Sequence, residues 1–148
     1  MRILFIIYLS IGFCVLSCSE KKPEKTETNS SFQQVYEMSD MALLMEKMYA
    51  ELEKNRPMVL EGNSIGEFPK EFNKIHTAEM TPSFQRNEEF NRLADLYLLN
   101  LQNLHNVEKE NPNRKEIYNN VVKSCITCHR SDAGCIGPVD RIGKLLID

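Results

Sequence analysis

The chain has 148 residues, of which 26% are charged and 42% hydrophobic, and its formal net charge is −3 at pH 7. This length supports a single domain with a modest core and is too short for two. No basic stretch is long enough to follow a phosphate backbone, so the sequence argues against nucleic acid as a partner.

The first residues, MRILFIIYLSIGFCVLSC, are typical of an export signal. One arginine precedes an apolar run that has the length of a secretory signal and falls short of a comfortable membrane span. The run ends in a small residue before Cys18, which resembles the lipobox of bacterial lipoproteins. The resemblance implies a signal peptide over residues 1–17 and a lipidated Cys18 as the first mature residue. Ordinary cleavage and an uncleaved anchor are the alternatives.

The next segment contains no large apolar side chain and is rich in Glu, Lys, Thr and Ser. Such a composition cannot bury enough surface to offset the entropy lost on ordering. We therefore expect residues 18–31 to form a flexible tether to a membrane of the cell envelope, as in a periplasmic or outer-membrane lipoprotein. The folded domain is expected over residues 32–148.

From residue 32 onward the apolar residues recur at helical spacing, and no alternating strand pattern occurs. The spacing predicts four helices, which we call A to D. An N-cap at Asn111, with Pro112 at the first helical position, is the start signal of helix D. The predicted helices are A over residues 32–56, ending before Pro57, B over 70–80, C over 87–107 and D to His129.

Four amphipathic helices with short connections predict an all-α fold, most simply an antiparallel four-helix bundle. The expected inward residues include Met41, Met45 and Met48 on helix A. After helix D the chain breaks at glycines and a proline, and residues 139–146 are expected to form a terminal helical turn that closes one end of the core.

The sequence CITCH places Cys125, Cys128 and His129 at the end of helix D. Positions i, i+3 and i+4 of a helix project to one side. The motif is the signature of covalent haem attachment, in which two thiols bond the macrocycle and the adjacent imidazole binds iron. Zinc would need Cys135 and a histidine as further ligands. A dithiol redox pair would need a thiol at a helix N-terminus, after a strand.

The motif on the last helix of an all-α domain resembles the class II c-type cytochromes, the group of cytochrome c prime and its low-spin relatives. The resemblance implies a four-helix bundle with a C-terminal haem-binding helix and one covalent haem c. Cys125 and Cys128 would form the thioethers, and His129 would be the proximal iron ligand. Arg130, beside His129, is a candidate partner for a haem propionate, or else a solvated cation at the helix C-terminus.

The sixth coordination position of the iron separates the candidate functions. The low-spin relatives draw a methionine from helix A, and Met45 matches best by its position relative to Gly62, with Met41 next. Methionine is also a common core filler. His76 is the alternative histidine, and His105, near the end of helix C, is expected to be exposed. An open position is the remaining alternative.

We therefore expect a membrane-tethered monohaem cytochrome c that is not an enzyme and passes single electrons between redox partner proteins. The alternative is a five-coordinate binder of a small gas such as nitric oxide or carbon monoxide. A lipoprotein with a structural zinc is a third hypothesis. Cys135 would be left as an odd thiol, for which a buried inert position is favoured over an intermolecular disulfide.

Overall fold

The computed structural model describes residues 37–132 and 137–148. The predicted signal peptide, Cys18, the predicted tether and Cys135 lie outside these ranges. The described part is helical and contains no strand, which confirms the all-α class, and none of its helices is long and apolar enough to cross a membrane. Its elements are α1 (Asp40–Glu61), the 3₁₀ helix η1 (Lys70–His76), α2 (Glu88–His105), α3 (Arg114–Arg130) and α4 (Val139–Gly143).

Helices α1, α2 and α3 are long, as predicted for helices A, C and D. The remaining helix of the predicted bundle, helix B, corresponds to the shorter η1. The prediction of helix B over residues 70–80 was wrong in length, because η1 ends at His76. The N–H groups of Thr77 and Ala78 both bond the carbonyl of Lys74, which closes a tight turn. Its two predicted inward residues, Phe72 and Ile75, are buried as expected.

Helix α1 differs from predicted helix A at both ends of its described part. Residues 37–39 are not helical, and α1 starts at Asp40 because the Ser39 hydroxyl accepts a hydrogen bond from the amide of Ala42, at 3.2 Å. The helix also continues through Pro57 to Gly62, which takes the left-handed conformation (φ 73°) that ends many helices. Pro57 removes only one helical hydrogen bond, and burial of Val59 beyond it holds the last turn against the core.

Helix α2 agrees with predicted helix C. The side chain of Asn87 accepts a hydrogen bond from the amide of Phe90, at 2.8 Å, and so fixes the start of the helix. The whole predicted apolar face is buried. It consists of Phe90, Leu93, Ala94, Tyr97, Leu101 and Leu104.

Helix α3 packs against α1, α2 and α4 and runs antiparallel to α1. At its start the Arg114 guanidinium donates to the carbonyl of Asn63, at 2.6 Å, beyond the C-terminus of α1. One turn later the Tyr118 hydroxyl donates to the carbonyl of Leu52, at 3.0 Å. This geometry carries the C-terminal end of α3 towards the N-terminal half of α1.

The predicted start of helix D at Asn111 and Pro112 was wrong by two residues. The Asn111 side chain accepts from the amide of Asn113, at 2.8 Å, and its carbonyl accepts from the amide of Arg114. Asn111 thus closes a turn ahead of the helix, and Asn113 is the N-cap.

The predicted terminal helical turn over residues 139–146 is present as α4, which ends three residues earlier, at Gly143, and packs against α3. Arg56 of α1 donates to the carbonyl of Leu145, at 3.3 Å. Asn119 of α3 bonds the backbone of Ile147 twice, at 2.7 and 2.9 Å. These bonds hold the terminal segment against both long helices, where it forms one side of the cavity described next.

Candidate functional site

The three residues of the CITCH motif meet at one cavity. Cys125, Cys128 and His129 all line it, as their positions on one side of α3 predict. The cavity has a volume of about 240 Å³, and most of the side chains around it are apolar. The α3 residues face α1, α2 and the chain end across this space. Antiparallel packing of α1 and α3 is what brings residues so distant in the sequence together.

Thioether side chains form much of the cavity wall. Of the seven methionines in the chain, five line the cavity. Met41 and Met48 are buried, whereas Met45 is only partly buried. Met80 was not predicted to line the cavity: the sequence placed it at the end of helix B, whereas in the structure it follows η1 in an irregular segment. The cavity methionines are Met38, Met41, Met45, Met48 and Met80.

The Cys125 side chain is a free thiol whose surroundings favour its neutral form. Burial, with the neighbouring Cys128 sulfur acting in the same direction, raises the pKa of Cys125 to about 12. A catalytic dithiol pair needs the opposite shift, since the thiolate is the reactive species. In the described residues no group of three or more His, Cys, Asp and Glu side chains is arranged to hold a metal ion. Cys135, which the zinc hypothesis requires, lies outside them.

Tyr97 carries a polar atom into the cavity wall. Its side chain lines the cavity and is buried, and its hydroxyl has no hydrogen-bond partner among the described residues. Burial raises the pKa of Tyr97 well above its ordinary value, and the nearby Cys125 and Glu51 act in the same direction. The helical spacing predicted the inward position of Tyr97 correctly, but it gave no information on the partner of the hydroxyl.

One ion pair stands at the cavity wall. Arg141 of α4 donates from Nη1 and Nη2 to the two carboxylate oxygens of Glu46 on α1, at 2.7 and 2.9 Å. The guanidinium carbon lies 4.0 Å from the centre of the Tyr49 ring. The hydrogen bonds from Arg141 lower the pKa of Glu46 below its ordinary value. All three side chains line the cavity.

The sequence analysis did not predict a role for Arg141, although its position beside Ile142 in a short helical pattern places it near the core. Arg130, the predicted propionate contact, is exposed at the last position of α3 and does not line the cavity. Arg141 is the one Lys or Arg side chain among the described residues that does.

The two other histidines lie outside the cavity wall. His76 is one-third exposed, and its Nε2 lies 3.1 Å from a carboxylate oxygen of Asp95. The prediction that His105 is exposed was wrong, because only 1% of its side chain is accessible. The connector after α1 folds over its ring: Nδ1 lies 3.1 Å from the carbonyl of Gly66, and Phe68 packs edge-on at 6.0 Å.

Comparison of the chain with protein-family models, with curated proteins and with solved structures gives no match. The function is therefore inferred from the residues that line the cavity.

Proposed function

We propose that the protein is a monohaem c-type cytochrome that carries single electrons between partner proteins at the cell envelope. The observation that carries this proposal is that the CITCH residues line the same apolar cavity as five methionines. A haem-attachment motif exposed on an isolated helix would lack both the apolar surroundings and the second kind of iron ligand. Here the motif has both the apolar surroundings and the thioether side chains.

The donor set of the cavity fits haem c. Cys125 and Cys128 supply two thiols, and His129 supplies an imidazole directly after the second thiol. Each thiol would add across one vinyl group, with the sulfur bonding one carbon and the thiol proton going to the other. No oxidant is required for this addition. A neutral, partly buried Cys125 is consistent with a thiol that is held for attachment rather than for dithiol exchange.

His129 would hold the iron from α3, and a methionine of α1 would hold it from across the cavity. We keep Met45 as the proposed sixth ligand and Met41 as its alternative, because both line the cavity from α1. A haem held by these residues would supply one-electron redox chemistry at its iron. Thioether ligation favours the ferrous state and raises the reduction potential.

The remaining cavity residues would control the surroundings of the haem. Apolar side chains such as Phe90 and Leu93 exclude water, and a drier site disfavours additional charge on the iron. The volume of about 240 Å³ lies below the range of about 300–1,000 Å³ for pockets that enclose a whole ligand. The cavity would therefore enclose only part of a haem.

The all-helical fold of the described residues supports the resemblance to class II cytochromes, with α3 as the proposed haem-binding helix. Helices α1, α2 and α3 would be three helices of the four-helix bundle, and η1 stands at the place of the second helix. The lipid anchor at Cys18 remains part of the proposal and would keep the carrier at a membrane. Binding of a small gas at an open iron position is the weaker candidate, because several thioethers are available to fill that position.

The proposal is tested by producing the exported chain together with a haem-attachment system. We expect a Soret band and an increase in protein mass equal to one haem that survives denaturation. Cys128→Ser should lose one thioether bond and most of the attached haem. Cys135→Ser is the matched control, since Cys135 is outside the motif, and it should keep the wild-type haem content. A colourless wild-type protein of unmodified mass would contradict the proposal.

A further inference from the structure

A positively charged group stands at a cavity that is otherwise mostly apolar. Arg141 lines the cavity from α4, and 46% of its side chain is accessible to solvent. Its position is fixed on two sides, by the carboxylate of Glu46 and by the ring of Tyr49. A planar guanidinium that is held in this way has already lost much of its rotational freedom, so a further bond costs less entropy.

Arg141 retains hydrogen-bonding capacity after it has bound Glu46. A guanidinium carries five N–H donors, and the two bonds to Glu46 use one N–H on each terminal nitrogen. The Tyr49 side chain is a further hydrogen-bonding partner of Arg141, so two of the five N–H donors remain for another acceptor. Carboxylates are the groups that such a planar set of donors binds best, often through two parallel bonds.

We propose that Arg141 binds a propionate carboxylate of the haem, while Glu46 and Tyr49 hold its guanidinium in position. This assignment rests on the proposed function, because haem supplies the carboxylate. It replaces Arg130, which is exposed and absent from the cavity wall. It also gives α4 a function that the haem motif does not imply, since the terminal helix then contributes a side chain to the cofactor site.

The test is resonance Raman spectroscopy of the ferrous protein with its haem attached, in which the propionate bending mode reports hydrogen bonding to the carboxylate. We expect Arg141→Gln to shift this mode to lower frequency, because its bonds to the propionate are lost. Arg130→Gln, the matched control, should leave the mode at its wild-type frequency. An unshifted mode in Arg141→Gln, or a shift in Arg130→Gln instead, would overturn the assignment.

A second variant separates propionate binding from a merely structural role of the ion pair. Glu46→Gln breaks the same ion pair and loosens the guanidinium but leaves the Arg141 donors in place, so the mode should shift in the same direction by clearly less than in Arg141→Gln. Equal shifts in both variants would mean that the pair acts only by holding α4, and would reject the assignment. If Arg141→Gln does not fold, Arg141→Lys keeps the charge without the planar donors and should give a smaller shift in the same direction.

Different results would reject the proposed cytochrome function and the assignment of Arg141. Wild-type protein without covalently attached haem would reject the proposed function and this assignment with it. Wild-type protein that holds haem, with a propionate mode that none of the Arg141 variants moves, would reject the assignment alone.

Discussion

Met45 of α1 and His129 of α3 line one cavity. Both residues reach this cavity because α3 begins beside the C-terminus of α1 and runs back along it, as the contacts of Arg114 with Asn63 and of Tyr118 with Leu52 show. An imidazole and a thioether on antiparallel helices are a suitable pair for binding haem iron from two sides. The proposed cytochrome function depends on this relationship more than on any other.

Tyr118 and Tyr97 offer a matched test of the packing around the cavity. The Tyr118 hydroxyl is buried and donates to the Leu52 carbonyl, whereas the Tyr97 hydroxyl is buried without a partner among the described residues. In the haem-free protein we expect Tyr118→Phe to lower the free energy of unfolding by about 0.5–1.5 kcal/mol. Tyr97→Phe should leave it unchanged or raise it, because no hydrogen bond is lost. Urea denaturation of both variants checks this, and a larger loss in Tyr97→Phe would contradict the packing.

Two leucines of α2 test which face of this helix packs into the core. Leu101 is fully buried and Leu99 is 55% exposed, although both are leucines of the same helix. Leu101→Ala should lower the free energy of unfolding by about 2–5 kcal/mol, because it removes buried methyl groups and leaves a cavity. Leu99→Ala should change it by no more than about 0.5 kcal/mol. Thermal or urea unfolding measures both values, and similar losses in the two variants would show that α2 packs through a different face.

Cys125 should react slowly in the folded protein before haem is attached. Burial raises the pKa of Cys125 from 9.0 to about 12, so at pH 8 its thiolate fraction falls roughly a thousandfold relative to the unfolded chain. Since the thiolate is the nucleophile, alkylation by iodoacetamide should slow by a similar factor. Mass spectrometry of the labelled peptide, with and without urea, measures the ratio. Comparable rates in the two conditions would mean that the thiol is not buried.

The raised pKa of Cys125 also predicts how the free energy of unfolding changes at alkaline pH. The folded protein holds the neutral thiol of Cys125, and the unfolded chain begins to lose that proton near its ordinary pKa of 9.0. The contribution to stability is therefore fully present below about pH 9 and is lost as the pH rises towards 12. A Cys125→Ala variant should lack this part of the alkaline loss of stability.

Periodicity predicted the long helices well because their packing follows local spacing. The apolar face of α2 is buried residue by residue, and the motif residues of α3 share one cavity as their spacing requires. The ends of elements were less predictable. Pro57 is an ordinary stop signal, yet α1 continues through it because Val59 beyond it is buried in the core.

The parts of the site that come from distant segments could not be read from local spacing. Met80 and Arg141 reach the cavity from an irregular segment and from the chain end. His105 is buried because the connector around Gly66 folds over it, which no pattern within α2 indicates. Such contacts depend on how separate elements return to one another, and that is a property of the tertiary structure.

The proposed ligation of the haem iron by His129 and Met45 is tested most directly by the absorption spectrum of the haem-loaded protein, oxidised and dithionite-reduced. The spectrum is compared with that of Met45→Ala. Met58→Ala is the control, because Met58 does not line the cavity. We predict sharp reduced alpha and beta bands and a weak red-region band in the oxidised protein, with the latter lost in Met45→Ala and kept in Met58→Ala. Broad high-spin bands in the wild type that sharpen only with carbon monoxide would contradict methionine ligation and electron carriage, and would favour gas binding.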